Sequence, residues 1–571
     1  MSKIKLKSLK TPESDALTGN EWNEIYPRPQ LRRDSFIPLN GEWDFYFAGE
    51  EMTKITVPFP PESEMSGIGE CRGSELHYKR TFTPPEIPEG HRLILNLGAT
   101  DQTAEVLINR VCAGRNRGGV LPSSVDITNL VREGENEIHI IVYDDITDTT
   151  LPYGKQRKKR GGMWYTTVSG IWQSVWLEIV PIGHIRALKI TPNESGARVE
   201  LLGLPNYRGT ATVTTPEGKA EYEISDSVCE IKLDNPRKWS PDDPYLYDLE
   251  IVCGEDRVSS YFAVRTVEIK EVNGVPRILL NGEPMFFHGL LDQGYYPEGI
   301  YTPVSPKSIE NDILIAKSLG FNTLRKHIKV EHELFYYYCD KHGMIVFQDM
   351  VNNGKYSFLR DTALPTIGFK RRRDRRVRGK RRLQRAIFAL TMEGTVNALY
   401  NHPCIVYWTI FNEGWGQIDS QGMYSLLCDL DKTRVIDTAS GWFKGADSDV
   451  VSEHVYFKKI KDMKPCAKPI ILSEFGGYSY KIPEHSANIY KTYGYGKFED
   501  AEEYERAVLS LYSEQIIPQI KNGLCASILT QISDVEDETN GIMTYDRRVI
   551  KLSSDKMCEI SRMLRAEIAK K

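Results

Sequence analysis

Two glutamates in this 571-residue sequence each follow an apolar stretch and precede glycines. Glu413 lies in "IVYWTIFNEGWG" at 405–416, and Glu474 lies in "ILSEFGG" at 471–477. Glycine lets a ligand or another segment approach the backbone closely. Opposed carboxylates suit hydrolysis of a glycosidic bond, because one can protonate the departing oxygen while the other attacks or stabilises the positively charged anomeric carbon. One such residue is as compatible with a structural ion pair, but two favour this chemistry, so we predict Glu413 and Glu474 to be catalytic.

Other polar and aromatic side chains lie where similar apolar stretches end, and we predict that they bind substrate. Asn412 carries an amide that can hydrogen-bond a sugar hydroxyl beside the reacting carbon. Trp415 can offer an apolar face to a sugar ring, although packing at the rim would explain the same residue. The remaining candidates are Arg325, His327, His288, Asp292, His454, Tyr456, Gln531 and Asp534.

The C-terminal part of the chain, residues 271–571, contains the elements that must position these side chains. Eight short apolar segments alternate there with longer segments whose apolar residues recur at helical spacing. Eight such alternations predict a (β/α)₈ TIM barrel, in which the carboxyl ends of the strands open onto the active-site face. The predicted strands are "MFFHGLL", "FNTLRKH", "MIVFQDM", "IVYWTIFNE", "RVIDTASG", "DVVSEHVY", "PIILSEFGG" and "ASILTQISD".

The preceding 270 residues show short alternating strands broken by turn residues and no long helical period. We predict a jelly-roll-like β-sandwich over residues 1–182, with strands such as "LNGEWDFYF" and "NEIHIIVYD". Residues 183–270 carry a second all-β run whose length suits a small immunoglobulin-like sandwich. The predicted fold class is therefore a multidomain β and α/β chain with two sandwiches before the barrel.

Several longer motifs resemble glycoside hydrolase family 2, which includes β-galactosidases, β-glucuronidases and β-mannosidases. The resemblance implies that Glu413 is the general acid/base and Glu474 the nucleophile. It implies that Asn412 binds the sugar 2-hydroxyl and that Tyr456 hydrogen-bonds the nucleophile. The motifs are "YPRPQ" with "LNGEWDF", "SGIWQSVWLE", "LDQGYYPEGIYTP", "GFNTLRKH", "NHPCIVYWTIFNEGWGQ", "ILSEFGG" and "NGIMTYDRR".

Departures from the family pattern bear on substrate and metal. The sequence has "RKHIKVE" at 325–331, so His327 stands one position earlier than the family's usual histidine, and "FQDMVNNG" replaces the acidic cluster that helps some β-galactosidases bind magnesium. We therefore expect no metal and no organic cofactor. The Asn-x-Lys pair of β-glucuronidases is not evident near "NGIMTYDRR" at 540–548. The expected activity is a retaining exo-β-glycosidase of β-galactosidase-like specificity, with β-glucuronidase, mannosidase or arabinosidase activity as alternatives.

A second hypothesis, of a different class, is a non-catalytic carbohydrate-binding protein on a degenerate barrel. The presence of both glutamates favours the enzyme, since a protein that only binds sugar has no need of them. Either hypothesis makes a carbohydrate the expected partner.

Composition excludes other classes of partner. The formal net charge is −5, and the chain has no stretch of about 18 apolar residues and no signal-peptide core, which predicts a cytoplasmic protein without a membrane segment. The ten cysteines lack metal-finger spacing and fit a reducing compartment. The basic run "KRRRDRRVRGKRR" at 370–382 suggests nucleic-acid binding, but it lacks aromatic residues, so a solvated loop or a subunit contact is favoured. The sequence leaves a homo-oligomer possible.

Overall fold

A computed structural model gives the fold of the chain and describes residues 6–366, 369, 374, 376–456, 458–460 and 462–570. Part of the basic run at 370–382 therefore lies outside the described residues. Within these ranges, no helix is long and apolar enough to cross a bilayer.

The N-terminal domain is a sandwich of antiparallel sheets. One sheet has the strand order β3-β2-β4-β10-β7-β8, the other has the order β1-β12-β5-β9, and β6 pairs with β11. In β2 every second side chain, Trp43, Phe45 and Phe47, is buried, because successive residues of a strand point to opposite faces. The strands are β1 Ile37–Pro38, β2 Gly41–Phe47, β3 Thr53–Val57, β4 Glu75–Phe82, β5 His91–Leu97, β6 Thr100–Asp101, β7 Thr103–Ile108, β8 Val111–Arg117, β9 Ser123–Asp126, β10 Asn136–Tyr143, β11 Gly170–Ile171 and β12 Val175–Pro181.

The second domain is a smaller sandwich of seven strands. Its sheets have the orders β13-β14-β17 and β16-β15-β18-β19, and their facing side chains form a separate hydrophobic core. Seven strands in two antiparallel sheets agree with an immunoglobulin-like sandwich. The strands are β13 Ala187–Asn193, β14 Gly196–Leu202, β15 Gly209–Thr215, β16 Gly218–Ile224, β17 Val228–Lys232, β18 Tyr247–Cys253 and β19 Asp256–Phe262.

The third domain is a barrel of eight parallel strands in the order β27-β26-β25-β24-β23-β32-β29-β28. A three-stranded antiparallel sheet, β20 Val267–Val272, β21 Val275–Leu280 and β22 Glu283–Pro284, precedes it. The pair β30 Tyr478–Tyr480 and β31 Tyr495–Phe498 follows the seventh barrel strand. The barrel strands are β23 Phe287–Asp292, β24 Thr323–Lys326, β25 Ile345–Asp349, β26 Ile405–Asn412, β27 Val435–Ser440, β28 Val451–Val455, β29 Ile470–Gly476 and β32 Leu524–Thr530.

The helices of the barrel domain do not complete eight alternations. In the described ranges, no helix connects β27 to β28 or β28 to β29. The connection 441–450 has ten residues, which is the lower limit of the about 10 to 12 residues that a crossover with a helix needs. The helices are α1 Pro306–Ser318, α2 Glu333–His342, α3 Leu364–Thr366, α4 Lys380–Leu399, α5 Ser420–Leu430, α6 Ala501–Ser510 and α7 Ser554–Ile568.

The predicted fold class is confirmed, because two sandwiches precede a barrel of parallel strands. Each of the eight predicted segments overlaps one barrel strand. As far as the described residues show, the prediction of a helix after every strand is wrong for the fifth and sixth strands.

Candidate active site

The carboxyl ends of four barrel strands bring polar side chains together at the mouth of the barrel. Arg325 lies in β24, Asn412 ends β26 with Glu413 next to it, His454 lies in β28 and Glu474 lies in β29. All five residues are buried, and none is more than 8% exposed. One oxygen of each glutamate and a ring nitrogen of His454 lie within 4.8 Å of one another. The two carboxylates therefore face each other across one small buried site.

Arg325 joins the two sides of this site. Its Nη1 donates to Oε1 of Glu474 over 3.0 Å, and its Nη2 donates to Oδ1 of Asn412 over 2.9 Å. The hydroxyl of Ser440 donates to the same amide oxygen over 2.8 Å. Because both donors contact the oxygen of Asn412, its Nδ2 group is left to donate to a ligand.

Glu474 is held as a carboxylate. Its Oε1 accepts from Arg325, its Oε2 accepts from the hydroxyl of Tyr456, and Nδ1 of His454 lies 3.5 Å from Oε2. Burial alone would raise the pKa of Glu474, but the charges of His454 and Arg325 and the Tyr456 hydroxyl lower it to about 2. Glu474 is therefore ionised throughout the neutral pH range, as a nucleophile must be.

Glu413 has fewer charged neighbours than Glu474. Its Oε1 lies 2.9 Å from Nδ1 of His454. In the described part of the chain, its carboxylate has no guanidinium or phenol within hydrogen-bonding distance. The two glutamates therefore differ in their hydrogen-bond partners.

The sequence that follows Asn412 forms a tight turn, which explains why a buried strand ends in "NEGWG". Glu413 has a φ of 50°, in the left-handed region, and Gly414 and Gly416 have φ values of 73° and 67°. A Cβ at Gly414 would lie 2.0 Å from the ring of Phe443, and one at Gly416 would lie 1.8 Å from the carbonyl oxygen of Asn353. Both positions therefore require glycine, and the turn fixes the direction of the Glu413 side chain.

Trp415 packs under the rim of the barrel and is only 1% exposed. Its ring stacks on Trp164 of the N-terminal domain at 5.1 Å, and Tyr356 contacts it edge-on at 5.5 Å between ring centroids. Aromatic packing between domains thus occupies the indole face that the sequence suggested for a sugar.

His327 and Gln531 also follow barrel strands at this end. Nδ1 of His327 lies 2.8 Å from Oδ2 of Asp349, and burial lowers the pKa of His327 to about 4. Gln531 donates through Nε2 to Glu538 over 3.1 Å. A neutral imidazole and an oriented amide therefore line the mouth beside the carboxylates.

His288 lies apart from the site, which corrects the sequence-based prediction. It is the second residue of β23, near the amino end of the strand. Its ring packs against Phe321 at 4.2 Å and Tyr512 at 5.0 Å between centroids. Active-site residues of a TIM barrel come from the opposite, carboxyl end of the strands.

Asp292 and Asp534 form ion pairs away from the two glutamates, which corrects two further predictions. Asp292 accepts from Nζ of Lys326 at 2.5 Å, its neighbour in register on β24. Lys326 follows Arg325 in the strand, so its side chain points to the opposite face. Asp534 accepts from Nζ of Lys551 at 2.7 Å in the loop after β32.

Glu413, His454 and Glu474 are also close enough to share a metal ion. Both oxygens of Glu474 already accept from Arg325 and Tyr456. A guanidinium 3.0 Å from a ligand oxygen would repel a dication. The geometry therefore favours two carboxylates that are hydrogen-bonded to neighbouring side chains over a metal centre.

Sequence reasoning did not select three residues that the structure places at the mouth. Asp349 ends β25 and accepts from Nε of Arg325 over 3.0 Å. It has the same signal as the glutamates, a carboxylate directly after an apolar strand. Glu538 and Lys155 lie in loops, where no strand pattern marks them, although "KQRKKR" at 155–160 is unusually basic.

Replacement of Arg325 by methionine should move the acid limb of the pH–rate profile to higher pH. Without the guanidinium, burial raises the pKa of Glu474, so a smaller fraction of this carboxyl group is ionised at a given acidic pH. We expect the limb of kcat/KM to shift upward by about 1 to 3 pH units. The profile is measured with the aryl glycoside that the wild-type protein cleaves fastest.

Arg265→Met is the matched control, because Arg265 is equally buried but donates to Pro403 and Ile405 at the amino end of the barrel. It should lower the Tm without moving the limb. An unchanged limb in a folded Arg325→Met protein would contradict this account of Glu474.

Comparisons with known proteins agree with this architecture. Residues 184–265 match "Glycosyl hydrolases family 2", and residues 268–550 match "Glycosyl hydrolases family 2, TIM barrel domain". The chain is 24% identical over 435 residues to a beta-galactosidase of Thermoanaerobacter pseudethanolicus, which covers 71% of this chain and 54% of the relative. It is 25% identical over 453 residues to a beta-glucuronidase of Pongo abelii, which covers 67% of this chain and 65% of the relative. The chain thus spans about half to two thirds of these relatives' lengths.

A solved structure of a beta-glucuronidase from an uncultured Clostridium species has a TM-score of 0.74 to this chain at 18% sequence identity. The superposition covers 94% of this chain and 99% of that beta-glucuronidase chain. This likeness extends the shared fold to nearly the whole chain. Since adjacent domains of one family match residues 184–265 and 268–550, the chain belongs to glycoside hydrolase family 2.

Proposed function

We propose that this protein is a retaining exo-β-glycosidase that acts by double displacement through Glu474 and Glu413. The observation that carries the proposal is the asymmetry of the two carboxylates. Glu474 is buttressed by Arg325 and Tyr456, and Glu413 by His454. One group is thereby kept ionised to attack, while the other is left able to exchange a proton.

In the first step, a carboxylate oxygen of Glu474 forms a bond to the anomeric carbon as the bond to the departing oxygen breaks. Glu413 gives its proton to that oxygen, so the aglycone leaves as an alcohol. In the second step, Glu413 removes a proton from water, whose oxygen attacks the same carbon and releases Glu474. Asn412 lies next to Glu413 in sequence, and its free Nδ2 can hydrogen-bond the 2-hydroxyl throughout.

The spacing of the carboxylates supports retention of configuration. The carboxyl groups of retaining enzymes lie about 5 to 5.5 Å apart, whereas those of inverting enzymes lie about 6.5 to 9.5 Å apart to leave room for water. Oxygens of Glu413 and Glu474 lie within 4.8 Å, together with His454 between them.

Attack at chain ends is supported by a segment of the N-terminal domain that crosses the barrel mouth. We call residues 149–169, a loop that contains no regular strand, the mouth hairpin. Gly354 donates through its backbone to Thr149 on one side, and Thr166 donates to Glu536 on the other. A segment tied to both sides obstructs the passage of a continuous polysaccharide and favours terminal sugars.

The stereochemical test is proton NMR of the first product from an aryl β-glycoside, recorded before mutarotation. We expect the β-anomer to appear first, and Glu474→Ala to give none. Initial release of the α-anomer would show inversion and contradict the proposal. The substrates include galactoside and glucuronide, since relatives of both names match the chain.

A further inference from the structure

The mouth hairpin, residues 149–169, is held rigidly against the loop that follows β25. Asn353 donates through Nδ2 to the carbonyl of Thr150 over 2.8 Å. The hydroxyl of Tyr153 donates to the carbonyl of Gly354 over 2.8 Å. These bonds hold the first part of the hairpin against the loop at the carboxyl end of β25.

The second half of the hairpin is tied to the loop after β32. Thr166 donates through its backbone to Oε1 of Glu536 over 2.9 Å, and the hydroxyl of Tyr165 donates to Oε2 of Glu538. Arg160 forms an ion pair with Asp537 at 3.3 Å. A side chain carried between these two anchors therefore has a fixed place relative to the barrel.

Lys155 lies between the anchors and is only 7% exposed. Its Nζ is 5.2 Å from the ring centroid of Trp415 and 5.6 Å from that of Tyr165. Within the described ranges, no hydrogen-bond acceptor or carboxylate pairs with this ammonium. The Nζ atom is not fully enclosed, so a ligand can reach it, and an anionic group there would pair with the ammonium.

The ammonium of Lys155 is directed toward the mouth. Burial raises the pKa of Glu538, and the charge of Lys155 is the largest influence that opposes this rise. The same charge helps to lower the pKa of His327. Oε2 of Glu538 accepts from Tyr165 and from Gln531, and within the described ranges no ion pair joins this carboxylate to Lys155. Lys155 is thus a cation close to the mouth that forms no ion pair with a described residue.

We propose that Lys155 binds an anionic group on the substrate sugar, the carboxylate of a hexuronide or a sulfate ester, and so makes this enzyme selective for acidic glycosides. The inference rests on the proposed glycosidase function and names its substrate class. A neutral sugar leaves the buried ammonium unpaired, whereas an anionic one pairs with it. Sites that bind a polar group of the substrate discriminate strongly against analogues that lack it.

The rest of the hairpin supports an anionic substrate. The segment "KQRKKR" at 155–160 has five basic residues and no acidic one. The guanidinium of Arg157 lies 4.2 Å from the ring centroid of Trp164 and 4.8 Å from that of Tyr356, at the outer side of the same aromatic group. Clefts lined by one sign of charge raise the local concentration of oppositely charged ligands.

The test compares wild-type protein with Lys155→Met, which removes the charge, and Lys155→Arg, which keeps it. Lys159→Met is the matched control, since Lys159 is an exposed lysine of the same hairpin. The substrates are 4-nitrophenyl β-glucuronide, β-galacturonide, β-galactoside and β-galactoside 6-sulfate. Folding of each variant is followed by its Tm.

We expect Lys155→Met to lower kcat/KM on the preferred anionic substrate by about 10- to 150-fold, as befits a lost hydrogen bond to a charged group. Activity on the galactoside should stay the same or rise. Lys155→Arg should retain part of the preference, and Lys159→Met all of it. A larger loss on the uronides than on the 6-sulfate identifies the carboxylate as the natural group, and the reverse identifies sulfate.

An equal loss on anionic and neutral substrates in folded Lys155→Met, or a wild-type preference for the neutral galactoside, would overturn the role of Lys155 while leaving the glycosidase function intact. If the wild-type protein cleaves none of the four substrates, titration calorimetry with free glucuronate, galacturonate and galactose 6-sulfate replaces the kinetics. Binding that Lys155→Met abolishes would support the role of Lys155 and contradict the glycosidase function. No binding of any of the three anions would overturn the inference.

Discussion

Glu474→Ala should lower kcat by roughly 10⁵-fold on every aryl β-glycoside that the wild-type protein cleaves, whatever the acidity of the phenol. The substitution removes the atom that forms the glycosyl-enzyme, so a better leaving group cannot compensate. Added azide can enter the vacated space on the α side of the sugar. It should restore partial turnover and give the inverted α-glycosyl azide, identified by NMR.

Glu505→Ala provides the control for this experiment, because Glu505 lies on α6 and pairs with Lys556 at the surface. It should retain full activity and should show no effect of azide. A β-glycosyl azide from Glu474→Ala would reverse the two roles. Mild loss of activity in a folded Glu474→Ala protein would place the nucleophile elsewhere.

The fold was predictable because each barrel strand is a short apolar run bounded by polar or turn residues, and such runs are buried wherever they occur. The residues of the site were predictable to the extent that they follow those runs directly. Asn412, Glu413 and Glu474 do so, and the structure brings them together with Arg325.

The predictions that placed His288 and Asp292 in the site were wrong for a physical reason, which is that side chains alternate between the two faces of a strand. A strand residue reaches the active-site mouth only if its side chain points to the inner face of the barrel and it lies at the carboxyl end of the strand. Arg325 does, but its neighbour Lys326 points to the other face and pairs with Asp292. His288 lies at the amino end of the same strand as Asp292. Sequence shows the position of a residue along a strand, but the face depends on register with neighbouring strands.

Lys155 could not be found in this way, because its position depends on contacts between distant segments. A basic stretch in a sandwich loop is ordinarily solvated, and nothing local indicates that it will cross a barrel mouth. Asn353 and Glu536 are remote from Lys155 in sequence, and their hydrogen bonds with the mouth hairpin create the buried setting of Lys155. The same reasoning explains Trp415, whose partner Trp164 belongs to another domain.

Glu413→Ala should separate the two steps of the reaction. An acid matters most when the departing oxygen is basic, so kcat/KM should fall by about 10²- to 10⁴-fold on phenyl and alkyl glycosides. With a 2,4-dinitrophenyl glycoside the first step needs no acid. A burst of dinitrophenol should appear, followed by slow turnover, because no base activates water to release the sugar from Glu474.

Azide is a nucleophile that needs no general base, so it should accelerate the slow phase of Glu413→Ala and give a β-glycosyl azide. The β configuration follows because azide attacks the glycosyl-enzyme from the face opposite Glu474. His454→Phe is the companion variant, since Nδ1 of His454 lies 2.9 Å from Glu413 and does not itself react. It should weaken protonation of poor leaving groups without a response to azide. If azide fails to accelerate Glu413→Ala although the burst is present, the group that activates water is not Glu413, and the proton must pass through another residue of the mouth.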